Sequence, residues 1–374
     1  MFKAENNKFV SIKNHKIGPN YPPYIVAELS ANHLGNYDHA TKIMEEAAIA
    51  GVHALKIQTY TADTLSMDIR ENEFLLDGDS PWAGMTQYEL YQKAYTPWEW
   101  HKGLFDKAAS LGLTIFSSPF DETSVDFLED IDCPAYKIAS YELIHLPLIA
   151  KVASTNKPLI FSTGLASLQE ITDAVETAEK NNAKEIIILH TIGGYPTPIE
   201  EASLGNLKII QEKFPGYVVG ISDHSPGSIV PIVSIGLGAR FIEKHLTLRR
   251  IDGGEDAAFS LEPEEMAEVV TGTRLAWESL GTQNGQKWTR PDSEQPNKVS
   301  RRSIYVSKDI QKGEILTPHN IKVIRPHFGL QPKFYFEVIG MRASEDLKRG
   351  TPLSWEALQQ ETIGSGQGVK YARG

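Results

Sequence analysis

Short, continuously apolar runs recur along the first two thirds of this chain, at residues 24–28, 54–58, 113–116, 135–139, 158–161, 185–189, 217–221 and 239–243. Between them lie longer segments whose apolar positions return every three or four residues, the spacing of a helix with one buried face. A strand without a polar face is covered on both sides, so eight such runs separated by helical segments predict parallel pairing. Helix punctuation agrees. Ser167-Leu-Gln-Glu170 and Thr96-Pro-Trp-Glu99 read as capping boxes, the second with proline at the first helical position; Gly51 and Gly112 stand where a left-handed residue would end a helix. Eight such units are the count of an α/β TIM (β/α)8 barrel, with an open doubly wound sheet as the competing arrangement.

The repeat is broken in two places. Residues 59–95 are longer than one crossover helix requires and include Asp77-Gly-Asp-Ser-Pro-Trp-Ala-Gly84. An insertion of that length after a barrel strand predicts a lid, a plain loop being the alternative. After the barrel, residues 1–280, a polar stretch at 281–300 has no apolar period and reads as a linker. Residues 301–363 then form a small unit of short strands and turns, and 364–374 a tail with nothing to pack.

Composition narrows the class. With 374 residues and 41% apolar content, the chain can bury one large core and a second small one. A net charge of -11 without clustered Lys and Arg argues against nucleic acid, yet a small anionic substrate needs only local positive charge. The single cysteine, Cys133, can form no internal disulfide, which fits a reducing cytoplasm. No apolar run of about eighteen residues and no leader-like h-region is found, so neither membrane insertion nor export is expected.

Reactive groups of barrel enzymes lie at the carboxyl ends of the strands. There the chain carries Glu28, then Lys56 and Gln58 on one strand face, Ser117 and Ser118, Lys137 with Ser140 and Glu142, and Ser162. Two lysines among several hydroxyls describe a phosphate pocket, whereas each lysine taken singly could be a surface residue with a snorkelling stem. His224, in Gly220-Ile-Ser-Asp-His-Ser225, and His245, in Phe241-Ile-Glu-Lys-His-Leu246, end the last two apolar runs. Their two imidazoles could hold a metal ion at one edge of the sheet, with Glu243 on the same strand face as a third ligand and Asp223 orienting a ring from behind. Each histidine alone could equally be a hydrogen-bonded core residue.

In their order, Glu28 with Asn32-His33, Lys56-Ile-Gln58, Ala135-Tyr-Lys-Ile-Ala-Ser140, Ser162-Thr-Gly164, Tyr195-Pro196, Ser222-Asp-His224 and Glu243-Lys-His245 resemble the sialic acid synthase family. Arg301-Arg-Ser-Ile-Tyr305, Lys308-Asp-Ile-Gln-Lys-Gly313 and Ile324-Arg-Pro326 resemble that family's antifreeze-like (SAF) sugar-binding domain. Within the family, Glu28-Leu-Ser-Ala-Asn-His33, Thr59-Tyr-Thr-Ala-Asp63 and Gly253-Gly-Glu-Asp-Ala-Ala-Phe259 look closest to the pseudaminic branch. The resemblance implies a transferase that forms a C–C bond between phosphoenolpyruvate and 2,4-diacetamido-2,4,6-trideoxy-L-altrose, releasing phosphate. The alternatives are a neuraminic or legionaminic synthase acting on a manno-configured N-acetyl sugar, and a carbohydrate-binding protein without turnover. It also implies a divalent ion, manganese or magnesium, held by His224 and His245, and a homodimer with swapped C-terminal domains. By the same resemblance Lys56, Ser117, Ser118, Lys137, Ser140, Ser162 and Ser222 hold phosphoenolpyruvate. Gln58, Glu142, Tyr195 and Asp256 would contact the sugar, as would Arg325 from the partner, with Glu28 near the reacting carbonyl. One departure stands out: Gly193 occupies the place of the family's polar residue before Tyr195, with Thr191 nearby as a substitute.

Overall fold

The computed structural model describes residues 9–76, 82–281 and 290–359. The chain divides into two compact units, residues 1–286 and 287–374. All eight apolar runs are strands: β3 (Tyr24–Glu28), β4 (Ala54–Thr59), β5 (Thr114–Pro119), β6 (Tyr136–Ile138), β7 (Leu159–Ser162), β8 (Ile186–Thr191), β9 (Val218–Asp223) and β10 (Phe241–His245). They pair in parallel, each with the next, and β10 bonds to both β9 and β3, which closes the barrel and rules out the open sheet. Closure sets the functional register directly: His245 lies opposite Glu28, and Glu28 opposite Lys56, across three adjacent strands.

The opposite, amino-terminal end of the barrel is closed by a hairpin that the hydrophobic pattern does not announce. Its strands, β1 (Val10–Ile12) and β2 (His15–Ile17), are three residues each, too short to show a period. Ile12 and Ile17 are nevertheless fully buried in one cluster with Tyr24, Phe116, Tyr136 and Phe241, the aromatic residues near the starts of the barrel strands. Burying two such side chains stabilises the end by about 3–6 kcal/mol before ordering costs are counted.

Local signals are partly realised. Ser167 and Glu170 form the reciprocal cap expected for the helix Leu168–Lys180, and Gly51 ends the helix Tyr37–Ala50 at φ 86°. The helix Trp98–Ser110 departs from expectation because Pro97 is its N-cap rather than its first helical residue. Thr96 therefore sits one residue too early to reach the amides of the first turn, and its hydroxyl is buried without a partner. The insertion after β4 contains the helices Ala62–Leu65 and Gln87–Ala94, joined by an antiparallel bridge between Leu75 and Thr86; residues 77–81 lie outside the described residues.

Among the described residues of the second unit, β11 (Ser303–Val306) pairs antiparallel with β12 (Ile321–Ile324), and isolated bridges such as Ile310 to Leu347 complete its framework. Its core gathers Ile304, Val306, Ile310, Leu316, Val338 and Leu353. Arg325 is exposed immediately after β12. Of the expected linker, residues 282–289 lie outside the described residues, and Asp292–Ser300 is an exposed 3-10 segment; the expected tail, 364–374, also lies outside them. No helix among the described residues is long and apolar enough to cross a membrane.

Candidate active site

Period-two alternation on β4 and β10 turns Lys56, Gln58, Glu243 and His245 toward the barrel axis, and the same parity brings in Lys137 from β6 and Ser222 from β9. They line a cavity of about 460 Å³ at the carboxyl ends of the strands, within the size range of small-molecule sites. At its floor is a buried ionic cluster. Lys137 Nζ lies 2.5 Å from Glu243 Oε1 and donates to Ser222 Oγ at 3.1 Å. Lys56 Nζ lies 2.5 Å from Glu28 Oε2 and 3.5 Å from Glu243 Oε1, with Ser118 Oγ also at 3.5 Å.

These charges set one another's protonation. Burial opposes ionisation of Glu243, but Lys137 and Lys56 outweigh it and hold the carboxyl below its ordinary range. Burial likewise disfavours the Lys56 cation, and Glu243 and Glu28 overcome it, so its pKa is raised. Lys137 differs: burial, with repulsion from Lys56 added, lowers it to about 8 against the pull of Glu243. The cluster thus presents two ammonium groups to the cavity, one of them easily discharged.

Glu28 is fully buried and does not line the cavity. Its carboxylate meets Lys56 and accepts a hydrogen bond from Gln58 Nε2 at 3.2 Å, which makes it a counter-ion of the lysine. Ser118 faces the cavity, whereas Ser117 points the other way. Its hydroxyl meets Thr59 Oγ1 at 2.6 Å and donates to the Ile57 carbonyl at 3.0 Å, a correction that follows from strand parity. Ser140 and Ser162 both line the cavity. The Ser140 hydroxyl accepts from the Gly164 amide at 3.1 Å, and a Cβ at 164 would lie 2.6 Å from that oxygen, so only glycine allows this approach. Ser162 and Thr191 share a hydrogen bond of 3.0 Å. A side chain at Gly193 would crowd Leu165, whose Cγ lies 3.3 Å from the position of a Cβ.

The two histidines meet beside this cluster, with ring centroids 5.4 Å apart. His224 Nδ1 lies 3.0 Å from the Ile192 carbonyl; because a carbonyl only accepts, Nδ1 carries the hydrogen and Nε2 keeps its lone pair. Burial pushes His224 down to about 4 and, joined by His224 and the nearby lysines, pushes His245 well below the ordinary histidine range. His245 Nδ1 is buried without a hydrogen-bond partner, 3.7 Å from Asp256 Oδ2. Two neutral imidazoles, one with an orphaned ring nitrogen, fit a divalent cation. Of Glu243, the expected third ligand, Oε1 is engaged by the lysines while Oε2 is buried without a hydrogen-bond partner, and among the described residues no group of three His, Cys, Asp or Glu is gathered for a metal. Asp223 does not orient an imidazole either. It faces outward on β9, where Lys244 Nζ lies 2.9 Å from its Oδ2 and Ser225 satisfies the rest.

The remaining walls carry the groups expected to meet a sugar. Tyr195 lies against His224, centroids 4.3 Å apart, and Glu142, pushed up to about 7 by burial, opens onto the cavity. Gln58 and Asp256 face it as well. Leu65, Leu76 and Leu90 of the insertion form an apolar side, as a lid would. Sequence reasoning missed Ser30, Tyr60 and Phe259, all of which line the cavity. Phe259 packs edge-on to His245 and His224, at 5.0 and 6.0 Å. Ser30 lies two residues beyond Glu28, and Tyr60 and Phe259 stand within the segments 59–63 and 253–259 that carry the family resemblance, so each had a readable signal.

The NeuB family matches residues 43–285 and the SAF domain residues 301–359. The chain is 41% identical over 339 residues to the pseudaminic acid synthase of Helicobacter pylori, covering 91% of this chain and 98% of that protein. It is 34% identical over 362 residues to the N,N'-diacetyllegionaminic acid synthase of Legionella pneumophila, covering 95% and 99%. Among solved structures, the N-acetylneuraminic acid synthetase of Leptospira borgpetersenii superposes with a TM-score of 0.69 at 30% identity, covering 78% of this chain and 95% of that one.

Proposed function

The chain belongs to the NeuB family, and on that premise we propose that it is a pseudaminic acid synthase. It condenses phosphoenolpyruvate with 2,4-diacetamido-2,4,6-trideoxy-L-altrose, giving pseudaminic acid and phosphate. The observation that carries this reading is one cavity in which a two-lysine, multi-serine anion pocket adjoins a pair of neutral histidines. The 41% identity to a pseudaminic acid synthase, against 34% to a legionaminic one, favours the diacetamido-altrose acceptor.

The residues divide the work. Lys56 and Lys137 neutralise the phosphate and carboxylate of phosphoenolpyruvate, and Ser118, Ser140, Ser162 and Ser222 direct hydrogen bonds to its oxygens. His224 and His245 would hold a divalent ion, manganese or magnesium, which supplies Lewis-acid polarisation of a carbonyl when bound. Gln58, Glu142, Tyr195 and Asp256 hold the open-chain sugar so that its aldehyde carbon faces the methylene carbon of phosphoenolpyruvate. The new C–C bond forms between those two carbons, water adds to the former enol carbon, and phosphate leaves by cleavage of its C–O bond. Glu142, pushed up to about 7 by burial, holds its proton to a higher pH than an ordinary carboxyl and in that form can donate a hydrogen bond to the acceptor. Leu65, Leu76 and Leu90 limit bulk water on the acceptor side. Under the same proposal the protein is a homodimer with exchanged SAF domains, in which Arg325 completes the partner's sugar site.

Phosphate release, measured with phosphoenolpyruvate and each of the three candidate sugars, tests the proposal. The fastest release is expected with the diacetamido-altrose, and it should cease with EDTA and return with manganese. Preference for N-acetylmannosamine or the legionaminic precursor would refute the acceptor assignment.

A further inference from the structure

We propose that Ser30 is the positioning residue that latches the acceptor carboxylate Asp256 to the phosphoenolpyruvate half of the site. This rests on the function proposed above, in which Asp256 faces the sugar. Ser30 is almost fully buried and adopts φ 45°, a left-handed conformation that a serine enters only at a cost. What that conformation secures is visible in the hydrogen bonds. The hydroxyl has one proton, which it donates to Asp256 Oδ2, while its oxygen accepts from Gln58 Nε2 at 2.9 Å. The second proton of that amide goes to Glu28 Oε1, and Glu28 Oε2 meets Lys56. Lys56, Glu28, Gln58, Ser30 and Asp256 therefore form one chain of contacts in which every donor is assigned.

At the far end Ser30 supplies the side-chain donor to Asp256, beside a backbone hydrogen bond from Ala31 that no substitution at 30 removes. Asp256 sits on a loop that follows two glycines of positive φ, Gly253 at 83° and Gly254 at 115°, a backbone path that favours glycine. The same loop carries Phe259 against both histidines. Without the hydroxyl, Asp256 loses its side-chain donor and Gln58 loses an acceptor, while Lys56, which lines the phosphoenolpyruvate side, keeps its contact with Glu28. The consequence falls on the sugar.

Ser30→Ala removes the hydroxyl and keeps the unfavourable φ; Ser30→Gly removes the hydroxyl and relieves it. With each variant, initial rates are measured with phosphoenolpyruvate and the diacetamido-altrose varied in turn, alongside the thermal melt. Both variants should raise KM for the sugar on the order of ten-fold, the worth of one hydrogen bond to a carboxylate, with KM for phosphoenolpyruvate changed less than about two-fold. Ser30→Gly should melt no lower than Ser30→Ala, so the shared KM effect cannot come from backbone strain. Unchanged sugar KM in both variants, or both KM values rising together, overturns the role of Ser30 alone. No phosphate release by the native chain overturns the function and the latch together.

Discussion

Glu243 is the shared counter-ion of Lys56 and Lys137, and Glu243→Gln removes its charge while keeping its shape. The attraction across the 2.5 Å contact to Lys137 is about 7 kcal/mol at an effective dielectric of 20, before the cost of burying the charges. Measured losses on breaking one partner of such a buried pair run to about 3–5 kcal/mol. For a unit spanning residues 1–286, unfolding entropy of about 2.1 cal/mol/K per residue makes this a fall in Tm of about 5–8 °C. The chemical effect is more diagnostic. Lys137 already sits at about 8 because burial disfavours its cation and Glu243 opposes that; without the carboxylate its pKa must drop, and one unit takes only about 1.4 kcal/mol. Since the cation binds the substrate anion, kcat/KM for phosphoenolpyruvate should be flat below the Lys137 pKa and fall with rising pH above it. In the native protein the break is expected near 8, and in Glu243→Gln at least about one unit lower. Rates at subsaturating phosphoenolpyruvate between about pH 6 and 9.5 measure both. A variant whose break stays near 8 and whose Tm is unchanged would refute the ionic cluster as described.

Other consequences are more local. His245→Ala should abolish phosphate release and the rise in Tm that manganese gives the stripped native protein, while the metal-free melt moves by no more than a few degrees; a retained manganese response would remove the histidine pair as its site. Ser118→Ala should raise KM for phosphoenolpyruvate about three- to ten-fold with an unchanged melt, whereas Ser117→Ala should leave KM alone and cost about 1–2 kcal/mol of stability, and the reverse pattern would contradict the strand parity. If SAF domains are exchanged between subunits, an equal mixture of Arg325→Ala and Lys137→Met chains, refolded together, should recover about a quarter of native activity through mixed dimers. An inactive mixture would mean that each site is built from one chain.

The hydrophobic pattern carried most of the architecture because barrel strands are covered on both faces, so each appears as an unbroken apolar run such as residues 185–189. Parity along a strand told which residues share a face, as with Lys56 and Gln58. The hairpin β1–β2 escaped notice because strands of three residues have no period; its burial comes entirely from what it meets at the end of the barrel. Thr96 misled because a proline next to a threonine suits two cap registers, and only the helix docking chose between them.

The candidate site divides along the same line. From its own order, the sequence determined which chemistry is present: lysines, serines and histidines at strand ends, in the succession that marks the family. Tertiary structure alone decided who partners whom. Glu28 and Glu243 look alike in sequence as strand-end carboxylates, and Glu243 was expected beside the histidines. Closure of the barrel sets an oxygen of each against lysines from other strands, where two buried cations need two carboxylates nearby. Asp223 and Lys244 find each other across β9 and β10 for the same reason. Such pairings depend on distances between residues far apart in the chain, and burial multiplies their consequence because a charge left unpaired there costs several kcal/mol.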